Sequence, residues 1–158
     1  MDNTLASFLA YFRQLATEHV ALQDFVHGPS GRIIAGSRKE LTYPLLWLET
    51  PSLSLADKDG TAPLGQRHTA LIVLDTASPT DYADQDAKWA STEAIALEVL
   101  SRMRKDYRER QFVAFTLDGT VLEAVATLTV AGEIGWRFEF SLADYPAPII
   151  YDATRWHK

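Results

Sequence analysis

The sequence predicts an α+β domain with a mostly antiparallel sheet of five or six strands and two main helices, in the order helix-strand-strand-helix-strand-strand-strand. Three observations predict it: two stretches in which apolar residues recur every three or four positions, a near-continuous aliphatic run between them, and a last third in which apolar and polar residues alternate. No repeat and no long linker divides the chain, so residues 1–158 read as a single domain.

In the first stretch Phe8, Leu9, Phe12, Leu15, Ala16, His19 and Val20 share a helical face, with Arg13, Gln14 and Glu18 between them. Asp2, Asn3 or Thr4 supplies the cap, and His27-Gly28-Pro29 sets the latest point at which this helix stops. Residues 28–40 are rich in glycine and charge and read as loop. Residues 43–49 carry apolar side chains on both faces, as a strand covered from both sides does, with Pro44 confined to its start or to an edge. Residues 50–65 read as a long loop or an extended hairpin tip in which Leu53, Leu55 and Leu64 interrupt a polar stretch. The run His68-Thr-Ala-Leu-Ile-Val-Leu-Asp75 is the expected central strand.

Ser78 followed by Pro79 reads as an N-cap and first helical residue, with Asp81 and Asp84 complementing the positive end of the helix dipole. The helix is expected to reach about Arg108 with Tyr82, Trp89, Ala96, Leu100, Met103 and Tyr107 on its apolar face, and Glu93 in that same face. Strands are expected at 111–117, 120–131 and 133–143, the first two joined by an Asp118-Gly119 hairpin turn and the last two by a turn at Gly132. In the last of them Ile134, Trp136, Phe138, Phe140 and Leu142 alternate with Gly135, Arg137, Glu139 and Ser141, which directs the first five into the core. Residues 149–151 add a short edge strand in this reading.

A chain of 158 residues without cysteine has no disulfides, thiolate zinc sites or cysteine nucleophiles, and the cytoplasm is the default compartment. No run approaches the ~18 apolar residues that cross a bilayer, and the net charge of -6 repels nucleic acid, so neither membrane nor nucleic acid is expected as a partner. The one dense basic run, Arg102, Arg104, Lys105, Arg108 and Arg110, is interleaved with Asp106 and Glu109 and reads as the complement of a helix C-terminus.

Motifs that carry chemistry fail on spacing. Residues 31–38 resemble a phosphate loop but lack its lysine, and Gly28-Pro29-Ser30-Gly31 has its second glycine one residue early for a nucleophile elbow. Asp57 and Asp59 precede Gly60 as in a calcium loop, but the twelfth ligand position is Gln66. His19, His27, His68 and His157 have no paired ligand spacing. His68 and Asp75 in one strand stand about 23 Å apart, too far for an acid/base pair. Glu93 is the only ionisable group that periodicity places in an apolar face; it reads chiefly as a margin residue reaching solvent or an arginine such as Arg137. No catalytic residue, metal ligand or cofactor follows.

The order of elements, with Pro44-Leu-Leu-Trp-Leu-Glu49 after the first helix, Ala70-Leu-Ile-Val-Leu-Asp75, the long helix, and Gly135-Trp-Arg-Phe-Glu-Phe-Ser-Leu142 closing the sheet, resembles the tail-terminator and head-tail joining proteins of tailed phages. The resemblance covers most of the chain and lies in element order, with no short motif. It implies a non-enzymatic protein that forms a closed ring, usually a hexamer, and caps or joins a tail tube, in the cytoplasm or within a phage-like particle. Its partners would be copies of itself or another protein subunit, with residues 50–65 projecting and Leu53, Leu55 and Leu64 making contact. The proline-rich segment from Asp144 to Lys158 has no counterpart in that expectation. A competing reading is a small-molecule binder or enzyme of the curved-sheet cone type, whose pocket would be lined by Trp89, Trp136, Phe138 and Phe140 with Glu93 pointing in. An enclosed cavity would favour that reading and a filled core would favour assembly.

Overall fold

The computed structural model describes residues 3–30, 41–56, 64–117, 119–126, 132–144 and 151–156. Its elements are α1 (Leu5–Glu18), β1 (Asp24–His27), β2 (Leu45–Leu48), β3 (Ser52–Ala56), β4 (Leu64–Thr76), α2 (Tyr82–Arg108), β5 (Ala114–Thr116), β6 (Glu123–Ala126), β7 (Glu133–Asp144) and a 3-10 turn, Ala153–Arg155. The domain is α+β with one mostly antiparallel sheet, and it holds more strands than expected because β1 and β3 join those legible in the sequence.

The sheet is built on one long antiparallel pair, β4 with β7, running from Gly65 opposite Asp144 to Thr76 opposite Glu133. Along the other edge of β4 lie β2 and then β3, both antiparallel to it. Leu48 faces Leu71 and Ser52 faces His68, so the outer chain spends one more residue than its partner and β2 and β3 behave as one strand broken by a bulge. Pro51, which has no N–H to give a ladder, sits in that break. β1 adds in parallel outside β2.

The outer edge of β7 carries β5 and β6 end to end, which corrects the expected hairpin between them. Thr116 faces Ser141 and Glu123 faces Arg137, so both strands run the same way along β7 instead of pairing with each other. The turn itself forms: Gly119 has φ 73° and the Thr120 N–H donates to the Leu117 carbonyl at 2.9 Å, while Asp118 lies outside the described residues. The Thr120 hydroxyl donates to the Glu139 carbonyl at 2.9 Å and ties the loop to β7. Asp-Gly chemistry specifies a turn, whereas the partner of each flanking strand is decided by the long free edge of β7, which offers both a ladder and a core. Gly119→Val is expected to lose about 1–3 kcal/mol through left-handed backbone strain without steric conflict, since no atom lies within 4 Å of an added Cβ. Urea denaturation measures it, and an unchanged midpoint would mean that the backbone relaxes freely.

The helix boundaries also differ from expectation. α1 ends at Glu18; His19 adopts extended backbone, accepts the Ala21 N–H on Nδ1 and bonds Glu98 through Nε2 at 2.9 Å, which diverts the chain and leaves Val20 in solvent. α2 is capped by Asp81, whose carboxylate accepts from Ala83 and Asp84, rather than by Ser78. Ser78 instead donates its N–H to the Asp84 carboxylate and its carbonyl accepts from the Gln85 side-chain amide, as a brace across the helix start.

Both helices cover one face of the sheet. Phe8, Phe12 and Leu15 of α1 and Ile95, Val99 and Met103 of α2 pack on Leu46, Leu48, Leu71, Val73, Phe138, Phe140 and Leu142. The alternation in β7 holds: Ile134 is buried, Trp136 packs against this core, and Phe138, Phe140 and Leu142 lie within it. On the opposite face Leu45, Trp47, Ile72 and Leu74 form a second cluster with Val26, Leu41, Tyr43 and Val125, so β2 is covered on both sides. The buried stripe of α2 runs through Thr92, Ile95, Ala96, Val99, Leu100, Met103 and Asp106, leaving Tyr82, Tyr107 and Glu93 exposed.

Buried polar groups pin the layers together. Lys88 on α2 bonds the buried Asp75 of β4 at 2.8 Å, and Asp106 receives the Tyr11 hydroxyl at 2.9 Å and the Arg102 Nε at 2.9 Å. Burial, and then the hydrogen bond to Asp106, pushes the Tyr11 phenol far above its ordinary value. The Asn3 amide donates to the carbonyls of Gly65 and Asp144, fastening the start of α1 to the end of the β4–β7 pair.

Candidate functional site

The described part of the 50–65 segment is chiefly the base of a hairpin arm. β3 pairs with the first residues of β4, Ser52 opposite His68 through Ala56 opposite Leu64; residues 57–63 lie outside the described ones. All five residues of β3 are exposed, and no strand among the described residues pairs with its outer edge. Alternation puts Leu53 and Leu55 on the same side, 39% and 53% exposed, while Leu64 is half-buried. Ser52, Ser54 and His68 occupy the other side, where the Ser54 hydroxyl meets His68 Nε2 at 3.2 Å.

That other side opens onto a polar cleft of about 400 Å3 on the face of β4 and β7 away from the helices, bordered by Glu49, His68, Thr120, Arg137, Glu139 and Ser141. His68 Nδ1 is 2.7 Å from the Ser141 hydroxyl. Both ring nitrogens are therefore taken by serine hydroxyls, and among the described residues no carboxylate orients the ring as nucleophilic catalysis requires. Arg137 reaches Glu49 at 3.2 Å, Glu139 at 2.8 Å and Glu123 at 3.5 Å. The bond to Glu49, followed by that to Glu139, raises the guanidinium above its usual value, so its positive charge is permanent. With one cation against three carboxylates, this floor is acidic and hydroxyl-rich.

The expected aromatic pocket takes a different form. Trp89 and Trp136 meet edge to face with centroids 5.7 Å apart, and Trp136 Nε1–H donates to the Trp89 carbonyl at 3.0 Å. Glu93 stands in solvent, and Arg137 is held by other glutamates. Of the aromatics expected on the apolar face of α2, Trp89 is half-buried, whereas Tyr82 and Tyr107 near the two ends of the helix are exposed. His68 and Asp75 take separate partners, the serines and Lys88, as their spacing requires. Among the described residues there is no group of three or more side chains able to hold a metal ion, and no helix long and apolar enough to cross a membrane. The phosphate-loop and calcium-loop segments fall outside the described residues.

No protein-family model matches the chain, and no curated protein matches it in sequence.

Proposed function

We propose that the chain is a non-enzymatic assembly protein that associates with copies of itself into a multimeric ring or joint, in the manner of the tail-terminator and head-tail joining proteins it resembles. The observation that carries this reading is the β3–β4 arm, in which β3 is exposed along its whole length, has no strand among the described residues on its outer edge, and carries two leucines on one side. A solvated arm has no use for them, and open apolar edges are templates for pairing with another chain. The packed helix-side core supports assembly over the cone reading, since Phe138, Phe140 and Leu142 fill the space a ligand would need.

Light scattering at rising concentration is the direct test. The parent should gain mass toward a fixed multimer, and Leu53→Ser with Leu55→Ser should remain monomeric while each exposed change shifts stability by no more than about 0.5 kcal/mol. A large fall in melting temperature with association intact would assign the leucines to folding instead. The polar cleft beside His68 favours a second reading, binding of a small hydroxylated or cationic molecule, which would be preferred if the parent stays monomeric throughout.

A further inference from the structure

The basic run at the end of α2 divides into two groups. Arg102 is held by Glu18 and Asp106, and Lys105 by Glu109. Arg104, Arg108 and Arg110 are exposed, and among the described residues their guanidiniums have neither an ion pair nor a hydrogen bond. Arg104 and Arg108 stand one helical turn apart and border an open cavity of about 390 Å3 with Tyr107, Phe115 and Leu117. Arg108 and Arg110 border a second, of about 530 Å3, with Tyr107, Phe112 and Asp144. The smaller cavity has no acidic residue among those that line it, so its two arginines repel each other without relief there. Helix-dipole complementation accounts for a cation in the last turn, but not for three unpaired arginines round an aromatic groove on a chain of net charge -6.

The backbone is strained at one of these arginines. Past the end of α2 the Arg110 N–H donates to the Tyr107 carbonyl and the Gln111 N–H to the Asp106 carbonyl, both at 3.0 Å. That paired closure puts the residue after the cap in the left-handed region, where glycine is usual. Arg110 occupies it at φ 60°, the one non-glycine residue with positive φ among the described residues. Glycine would close the helix at less cost, so the closure itself gives no reason for an arginine. The groove also offers a flat surface. Tyr107 stacks on Phe112 with an interplanar angle of 11°, and Phe112 is buried while Tyr107 is 41% exposed, which leaves part of the tyrosine open to contact. Each guanidinium has a planar fork of donors that matches a phosphate group, and three of them exceed what a single carboxylate could occupy.

We infer that the groove between the end of α2 and β5 binds an oligophosphate ester, with Arg104, Arg108 and Arg110 on its phosphate groups and Tyr107, Phe115 and Leu117 against its planar part. The site is independent of the assembly reading and stands or falls separately from it. Titration calorimetry at low salt, with tripolyphosphate and adenosine triphosphate as probes, tests it. Both should bind, the nucleotide more tightly because it adds a planar group at equal phosphate number. Arg104→Gln with Arg108→Gln should weaken both by about tenfold or more, as the loss of charge-assisted hydrogen bonds does, with an unchanged circular dichroism melting curve. Arg110→Gly should weaken binding yet raise the melting temperature by about 2–4 °C, because it relieves the left-handed strain. A purely structural arginine would not move the two readouts in opposite directions. Arg110→Gly binding as the parent does, or neither probe binding, overturns the proposal. Equal affinities for the two probes overturn its ester part. Retention of a single-stranded oligonucleotide that is lost in the double variant, with neither probe bound, gives the groove to nucleic acid and likewise overturns it.

Discussion

Phe138→Ala is expected to lower the unfolding free energy by about 3–5 kcal/mol, the range for a large aromatic removed from a core. Phe138 is fully buried, and its ring lies 6.3 Å from that of Phe140, which in turn meets Phe12 of α1 at 5.5 Å. The cavity would open where both helices meet the central pair of strands, and collapse is resisted because β7 is fixed to β4 along its full length. In urea the midpoint should fall with an unchanged slope. Trp136→Ala should cost less, since Trp136 is only half-buried and loses mainly its contact with Trp89 and one hydrogen bond. A Phe138 variant with the parent's midpoint would show that this face is not the core.

Gly135→Ala is expected to be as damaging, although it adds a single methyl group. Gly135 sits opposite Leu74, and a Cβ there would overlap the Val73 carbonyl oxygen and crowd its carbon and the Leu74 Cα. Those are backbone atoms of the neighbouring strand near the Thr76–Glu133 end of the longest strand pairing, so no rotamer change makes room and the strands must part there. Overpacking usually costs about 1–3 kcal/mol, and a backbone obstacle places this case at about 3 kcal/mol or above. Gly119→Ala isolates the other cost, backbone strain without a steric obstacle, because nothing lies within 4 Å of its added carbon while its φ is 73°. Equal melting temperatures for the Gly135 variant and the parent would mean that β7 approaches β4 less closely.

The elements legible in the sequence were those whose own residues carry the burial pattern. β4 and β7 are long and central, and the aliphatic run and the Ile134 to Leu142 alternation define them without reference to anything else. β3 also alternates, Ser-Leu-Ser-Leu-Ala, but it is solvated on both sides, and Pro51 before it and Asp57 after it made the stretch look like a loop. The joint pairing of β5 and β6 with β7 was hidden because local turn chemistry says nothing about a distant edge. The same holds for the sites. Leu53 and Leu55 stand out as apolar residues in polar company, and of the group Trp89, Glu93 and Trp136 the two tryptophans touch while Glu93 is exposed. The His68–Ser141 contact joins residues on separate strands, and the division of the basic run depends on where Glu18 lies in three dimensions.

The length of the β4–β7 pairing has a kinetic consequence. Its closest contact in sequence, Thr76 with Glu133, already closes a loop containing α2, β5 and β6. The entropy of that closure must be met before most of the ladder can offset it, so the folding rate is governed by non-local encounter and should resemble that of slow β-rich domains more than that of helical ones. In the folded chain α2 lies within that loop and is held to β4 by the Lys88–Asp75 ion pair. β5 and β6 pair only with β7 and take their register once that strand has joined the sheet, whereas β3 pairs with β4 across a short separation in sequence and needs no distant partner.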